Sequence, residues 1–340
     1  MAKQTKHTEL SNKECKHCGN SFRGRPNKQY CSDKCASSAR VARHRDTKKT
    51  ACKVRRYVKK AHKFLQTSYG RWLCTQLQRA GTVQVLQGHT AESLHEMYSL
   101  KRLCSSASGY VEGKPTGNYH ISHTWPVKGD NGRIGLLHPE NLVIAPRTFN
   151  LAHGTKQPTR LGVGLFIPTS TLLAKHEISA HDTTEQVFQK VRRLLGQDWT
   201  AFISTLTIQQ TQEQQLRAKL KKLEIHVPAH VSMDELRQLA DNHNVKYFND
   251  DRGGKEPLEV ALSELTRFGH NTGEFCIYHG WVERLLDICE VIQDRELVAS
   301  CVLNEIWAFL HGVDMPKQTK AEQAALLLFA TTQHVEEWIL

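Results

Sequence analysis

The chain has 340 residues, 39% of them hydrophobic, and carries 46 Lys and Arg against 34 Asp and Glu for a formal net charge of +12. That length and apolar content suit about two or three domains with cores of ordinary size. The opening "MAKQTKHTELSNKECKHCG" lacks the apolar stretch of a secretory signal, and the apolar run Ala324–Ala330 is far too short to span a bilayer; together they exclude a membrane partner and lead us to expect a soluble, cytoplasmic protein.

The charge is uneven. Residues 1–66 hold 19 Lys and Arg against 4 Asp and Glu, the remainder holds 27 against 30, and from Pro257 onward 5 basic residues face 13 acidic ones. A basic head on a slightly acidic body predicts a polyanion bound at the N-terminal end. Nucleic acid is the usual polyanion, because each phosphate neutralised releases counterions. The plain alternative is a solvated basic helix.

The first module, residues 1–45, contains "CKHCGNSFRGRPNKQYCSDKC", in which Cys15-x2-Cys18 and Cys31-x3-Cys35 form two close thiol pairs. Four soft ligands in that spacing suit tetrahedral zinc. Gly19 stands where a knuckle turn needs a residue without a Cβ. Ser32 and Asp33 mark a helix start, which places Cys35 on the first turn. His17 is a substitute ligand or a bystander. The other cysteines (Cys52, Cys74, Cys104, Cys276, Cys289, Cys301) are scattered in helix-like sequence and are expected to be small buried hydrophobes.

From Ala36 the sequence is helical in composition and densely basic, and residues 46–104 read as a basic, helical linker region. Arg40, Arg43, Arg45, Lys53, Arg55, Arg56, Lys59 and Lys60 are the candidate phosphate contacts. Trp72, Leu73 and Leu77 continue the helical spacing. Thr90–Leu103 predicts a further helix whose apolar face is Leu94, Met97, Tyr98 and Leu100, expected to be core. Residues 105–118, rich in Gly, Ser and Pro, form a loop.

The stretch from Tyr119 to Lys156 holds four histidines, three asparagines and two acids, a mixture that a plain core segment would not need. "NYHISHTWPV" predicts a strand ended by Pro126 and the turn Gly129–Gly132, "LHPENLVIAP" a turn and second strand, and "PRTFNLAHG" a short helix. Pro146 sits where helices tolerate it and Gly154 is the stop. His123 falls near the end of the first strand, with His120 and Ser122 on its opposite side. Asn141 precedes the second strand, and Asn150 and His153 share a helix face. His138 is a turn histidine.

Beyond it, "LGVGLFI" predicts a strand, and Asp182-Thr-Thr-Glu185 caps a helix carrying Val187, Phe188, Val191, Leu194 and Leu195. Gln209–Ile225 is a polar helix with Leu216, Leu220 and Leu223 on one side, a connector or coiled-coil seam. Ser232-x-x-Glu235 opens another helix, and 248–257 reads as a linker. We therefore expect a ββα core over 105–175, helices over 176–250 and an acidic helical domain over 257–340. The last has Trp281, Leu285, Leu286, Trp307, Phe309, Leu327, Phe329 and Trp338 for its core; it either packs, binds a protein partner, self-associates or mimics DNA charge.

Over about 40 of its residues the chain resembles the HNH endonucleases with their ββα-metal fold. His123 stands three residues before Pro126, Gly129 and Gly132 occupy the loop, Asn141-Leu142 opens the second strand, and Asn150 follows Asn141 by nine. The resemblance implies a mainly α fold with a small α+β core: an HNH module preceded by a zinc ribbon and basic helix and followed by a helical C-terminal domain. It also implies metal-dependent phosphodiester hydrolysis. His123 would be the general base activating water, Asn141 would lock the loop, and Asn150, or alternatively His153, would hold a divalent Mg or Mn. Many members place an acid or a second His before the base; here that residue is Ser122, which puts the first-strand ligand in doubt and keeps His120 eligible. The cysteine module looks like zinc ribbons of bacterial and phage DNA-associated proteins, so a phage-borne or mobile nuclease acting on DNA is the implied setting. RNA carries the same scissile group. The rival expectation is a non-catalytic, zinc-containing DNA-binding regulator with a degenerate ββα unit.

Overall fold

The computed structural model describes residues 10–111, 114–128, 132–209, 211–228, 230–247, 252–269 and 295–313, without the side chains of 46 and 295–302. The described residues are mainly helical, with four small antiparallel sheets. The chain divides once, between Lys63 and Phe64.

In the first unit, β1 (Ser11–Glu14) and β2 (Ser21–Gly24) pair antiparallel. The cysteine knuckle between them reverses the chain, with Gly19 N–H donating to Cys15 O at 2.9 Å and Cys15 N–H to Asn20 O at 3.0 Å. The helix α1 (Asp33–Leu65) follows, started by Ser32, whose hydroxyl accepts from Cys35 N–H at 3.3 Å. At 1.5 Å per residue it is about 50 Å long, and the boundary expected after residue 45 falls inside it. The unit has almost no core: only Cys15 and Gly24 are buried among its described residues. Cys52 is exposed, contrary to expectation, because α1 presents that face to solvent.

In the second unit α2 (Ser68–Ala80) is capped by Thr67 and stopped by Gly81, and α3 (Ala91–Ser108) opens on a Thr90–Ser93 capping box. The helix α3 runs five residues beyond the expected Leu103, to Ser108. Two-residue strands β3 (Tyr110–Val111) and β4 (Lys114–Pro115) lead into β5 (Tyr119–His123). The loop then supplies an unforeseen strand, β6 (Arg133–Gly135). Next come β7 (Leu142–Pro146), α4 (Arg147–His153) and β8 (Phe166–Pro168). β5 pairs antiparallel with β7, setting His123 opposite Leu142 and Ser122 opposite Val143, while β6 pairs with β8. The apolar run 161–167 thus yields a strand only at its end; Leu161 is 99% exposed.

The helices α5 (Thr184–Leu195) and α6 (Gln197–Thr205) close the main core, with the cap at Thr183 and Gln186, one residue later than expected. Phe64 is its hub, its ring 5.5–6.0 Å from those of Tyr69, Phe188, Trp199 and Phe202, edge-on contacts that add to the burial itself. The pair α7 (Gln212–Lys222) and α8 (Met233–Asn242) buries Leu216, Leu220, Leu236, Ala240 and Val245. Leu223 lies past the end of α7 and is exposed rather than on its buried side.

The described part of the expected linker is docked: Arg252 and Tyr110 exchange backbone hydrogen bonds of 2.9 and 3.1 Å, and Lys255 N–H donates to Ala107 O at 2.8 Å. The helices α9 (Pro257–Phe268) and α10 (Arg295–Leu310) pack together. From α9, buried Glu264 accepts the Ile144 N–H of β7 at 3.0 Å and Arg267 donates to Pro139 O at 3.0 Å, which covers the open edge of the hairpin. Trp307 and Phe309 are buried core residues of α10. Trp281, Leu285, Leu286, Leu327, Phe329, Trp338, Cys276, Cys289 and the side chain of Cys301 lie outside the described residues. No described helix is long and apolar enough to cross a membrane.

Candidate functional site

In the first unit, the turn after β1 carries Cys15 and Cys18, and the segment entering α1 carries Cys31 and Cys35. Their sulfur atoms all lie within 4.8 Å of one another, with Cys18 and Cys31 3.7 Å apart and Cys31 and Cys35 3.4 Å apart. Burial works against a Cys15 thiolate, but the amides of Cys18, Cys31 and His17 outweigh it and bring that thiol down to about 6. Such a quartet can hold a metal such as zinc. His17 is exposed and stands outside it. The candidate phosphate contacts Arg40, Arg43, Arg45, Lys53, Arg55, Arg56 and Lys59 are exposed along α1, and Lys60 is partly buried.

In the second unit, the strand–loop–strand–helix segment is organised around Asn141. It is fully buried, and its amide makes four hydrogen bonds. Oδ1 accepts from the N–H groups of Trp125 at 2.9 Å and Leu165 at 3.2 Å, and Nδ2 donates to Trp125 O at 3.1 Å and Leu136 O at 2.7 Å. Its backbone carbonyl takes the Thr124 N–H at 3.0 Å, next to His123. At about 1 kcal/mol net each, these bonds tie together both ends of the loop. Gly135 makes the closure possible: a Cβ there would meet the Trp125 carbonyl oxygen at 1.8 Å.

The strand alternation places His120 and Ser122 on one side of β5, and α4 sets Asn150 and His153 one turn apart. His120 Nδ1 and Asn150 Nδ2 are 3.1 Å apart. His153 is buried, stacked on Phe149 with centroids 5.7 Å apart, and its Nε2 has no partner. Ser122 is 2% exposed and its hydroxyl is 2.8 Å from Nε2 of His311, a residue following α10 that the sequence offered no motif to find. His311 is wholly buried, with ring centroids 4.6 Å from His153 and 5.0 Å from Phe149.

Burial drives all these imidazoles toward neutrality. It pulls His123 down to about 3, helped by nearby Arg79, and His311 down to about 3, helped by His153. Burial also lowers His153, and lowers His120 together with Arg147 and Lys101. His123 keeps partial exposure as a residue, yet its Nε2 is enclosed and has no partner. His138 caps the turn before Asn141, its ring tilted against that of His89 with centroids 4.6 Å apart. Among the described residues, the cysteine quartet is the one group of three or more His, Cys, Asp or Glu donors this close together. Comparison with protein-family models, curated proteins and solved structures finds no match to this chain.

Proposed function

We propose that the chain is a metal-dependent DNA endonuclease of HNH type: a zinc ribbon and basic helix grip the duplex, and the β5–β7–α4 segment cuts it. The observation that carries this reading is the four-bonded Asn141, which clamps the loop directly after His123 while α4 sets Asn150 and His153 against β5.

The donors facing the α4 side of β5 suit a divalent cation. His153 Nε2 is buried without a partner, a state that costs about 1–3 kcal/mol, and His120 and Asn150 already touch. His153, Asn150 and His120 would hold the ion, which when bound neutralises charge on the scissile phosphate and the departing oxygen. His123 would take the proton of the attacking water; burial holds its ring neutral but also makes it a weak base, so this role needs the ring to meet solvent when substrate binds. Asn141 holds that strand end against the loop. Arg79 adds a positive charge near His123.

The enclosed Nε2 of His123 favours a second reading, a DNA-binding regulator with an inert ββα unit. A supercoiled-plasmid assay with magnesium or manganese separates the two. Nicking by the wild type that falls about 10²–10⁴-fold in His123→Ala, with gel-shift affinity retained, is the expected result. A shift with no nicking by the wild type establishes the regulator. An RNA duplex of the same sequence in the panel decides between the polymers.

The docking half has its own test. Removing three exposed cations of α1, as Arg55→Ala/Arg56→Ala/Lys59→Ala, is expected to make the log affinity–log salt slope shallower by about 3. An unchanged slope would take phosphate binding away from this face.

A further inference from the structure

The hairpin of the first unit carries cations of its own, apart from those of α1. Arg23 in β2, with Arg25 and Lys28 in the turn that follows, lines one open hollow of about 430 Å³ together with Leu10, Gly24 and Asn27. We propose that this hollow is a second phosphate site, one that takes the sugar–phosphate backbone of a nucleic acid. The inference rests on the docking half of the nuclease reading and adds contacts that the basic run of α1 does not include.

The turn shapes the hollow. Lys28 N–H donates to Arg25 O at 2.9 Å, closing four residues around Pro26, whose fixed φ suits the second position of such a turn. The Lys13 ammonium of β1 donates to Pro26 O, and Lys16 N–H donates to Gln29 O at 3.1 Å. The turn is therefore tied to β1 on one side and to the cysteine knuckle on the other. Gly24 is buried, and a Cβ there would meet the Phe22 ring at 2.7 Å and the Lys28 stem at 3.3 Å. With none present, the Lys28 chain packs against Gly24 and its ammonium stands 5.9 Å from the Phe22 ring centroid, which restrains where that charge sits.

The charges have nothing of the protein's own to pair with. Arg23, Arg25 and Lys28 are exposed, and none has an ion-pair partner among the described residues. The register sets the one acid of the hairpin, Glu14, opposite Ser21, while Arg23 faces Asn12. No acid lines the hollow. Three like charges around one concavity repel one another, a cost that a bound anion removes. The two guanidinium groups are planar forks matched to paired phosphate oxygens, and Lys28 adds a point charge. Leu10, 51% exposed, supplies an apolar wall that a sugar ring can cover and a bare phosphate ion cannot. That wall selects polymer backbone over free phosphate.

The test uses the full chain loaded with zinc and a fluorescent DNA duplex, with anisotropy followed across salt concentration. Arg23→Ala/Arg25→Ala/Lys28→Ala, its hairpin amide peaks still dispersed, is expected to make the log affinity–log salt slope shallower by about 2–3, an affinity loss on the order of 10²-fold at about 0.1 M salt. Arg23→Lys/Arg25→Lys keeps the charge and is expected to keep the slope. In the Arg55→Ala/Arg56→Ala/Lys59→Ala background the same loss should recur, because the two sets neutralise different phosphates. In the wild type the duplex is expected to shift the side-chain Nε–H signals of Arg23 and Arg25 in nitrogen-correlation NMR, a readout that stands if the alanine variant misfolds. Inorganic phosphate at matched concentration is expected to leave those signals in place. A slope unchanged in the alanine variant, or guanidinium signals moved by inorganic phosphate and not by the duplex, overturns the inference. Plasmid nicking by a wild type whose slope the alanine variant does not change would leave the nuclease reading standing and this inference fallen; a shallower slope without any nicking would do the reverse.

Discussion

Stripping the metal from the full chain with a strong chelator, or replacing Cys15 with serine, is expected to abolish the fold of residues 10–32 and leave the described residues of the second unit folded. Among its described residues the first unit has almost no apolar core to support it. Its β hairpin buries Cys15 and Gly24 among the described residues, and a segment that hides so little apolar surface cannot offset the entropy of ordering its backbone. A four-cysteine zinc site contributes about 10–16 kcal/mol at neutral pH, more than the stability of most whole domains. The depressed Cys15 thiol helps capture the ion near neutrality. In amide-correlation NMR, peaks of residues 10–32 should collapse to random-coil positions on chelation and return with one equivalent of zinc. Tryptophan emission should not change, because all six tryptophans follow residue 66. Dispersed hairpin peaks in metal-free protein would show that the four thiols are bystanders.

Acid should unfold the second unit well above the pH at which its carboxylates protonate. Burial depresses His89 to about 4 and His123 and His311 to about 3, from an ordinary 6.5. Each is thus held below its unfolded value. The native state binds fewer protons than the unfolded one, so stability is complete above about pH 6.5 and falls as pH drops toward the folded values. Three such groups give a slope of up to about 4 kcal/mol per pH unit, and the loss between pH 7.5 and 4.5 is on the order of 8 kcal/mol. That matches the whole stability of an ordinary domain. Urea unfolding of the chelated protein, followed by tryptophan fluorescence, should show the midpoint falling steeply below pH 6. In His89→Gln the slope should shrink by one proton's share. A midpoint flat from pH 7.5 to 5 would mean these imidazoles are solvated.

The sequence by itself determined the local features of this protein. The spacing placed the thiols of each pair together, because ligands three residues apart on a tight turn or four apart at a helix start converge. The alternation of β5 put His120 and Ser122 on one side, and the three-residue step of α4 stacked Asn150 and His153, since both follow from backbone geometry alone. The ββα order itself was legible from turn residues and apolar runs. Tertiary structure decided what surrounds them. Nothing near Ser122 in the sequence announces His311, a lone histidine at the end of an apolar helix, because contacts across 189 residues depend on how α9 packs against β7 and α10 against α9 and not on any local pattern. The same holds for the burial of His123. Strand position predicted where its ring begins, but whether its Nε2 meets water depends on what packs over it, which no sequence period encodes. The β6–β8 pairing and the docking of residues 252–255 onto Ala107 and Tyr110 were likewise invisible, since segments of three or four residues take their conformation from the surface they land on.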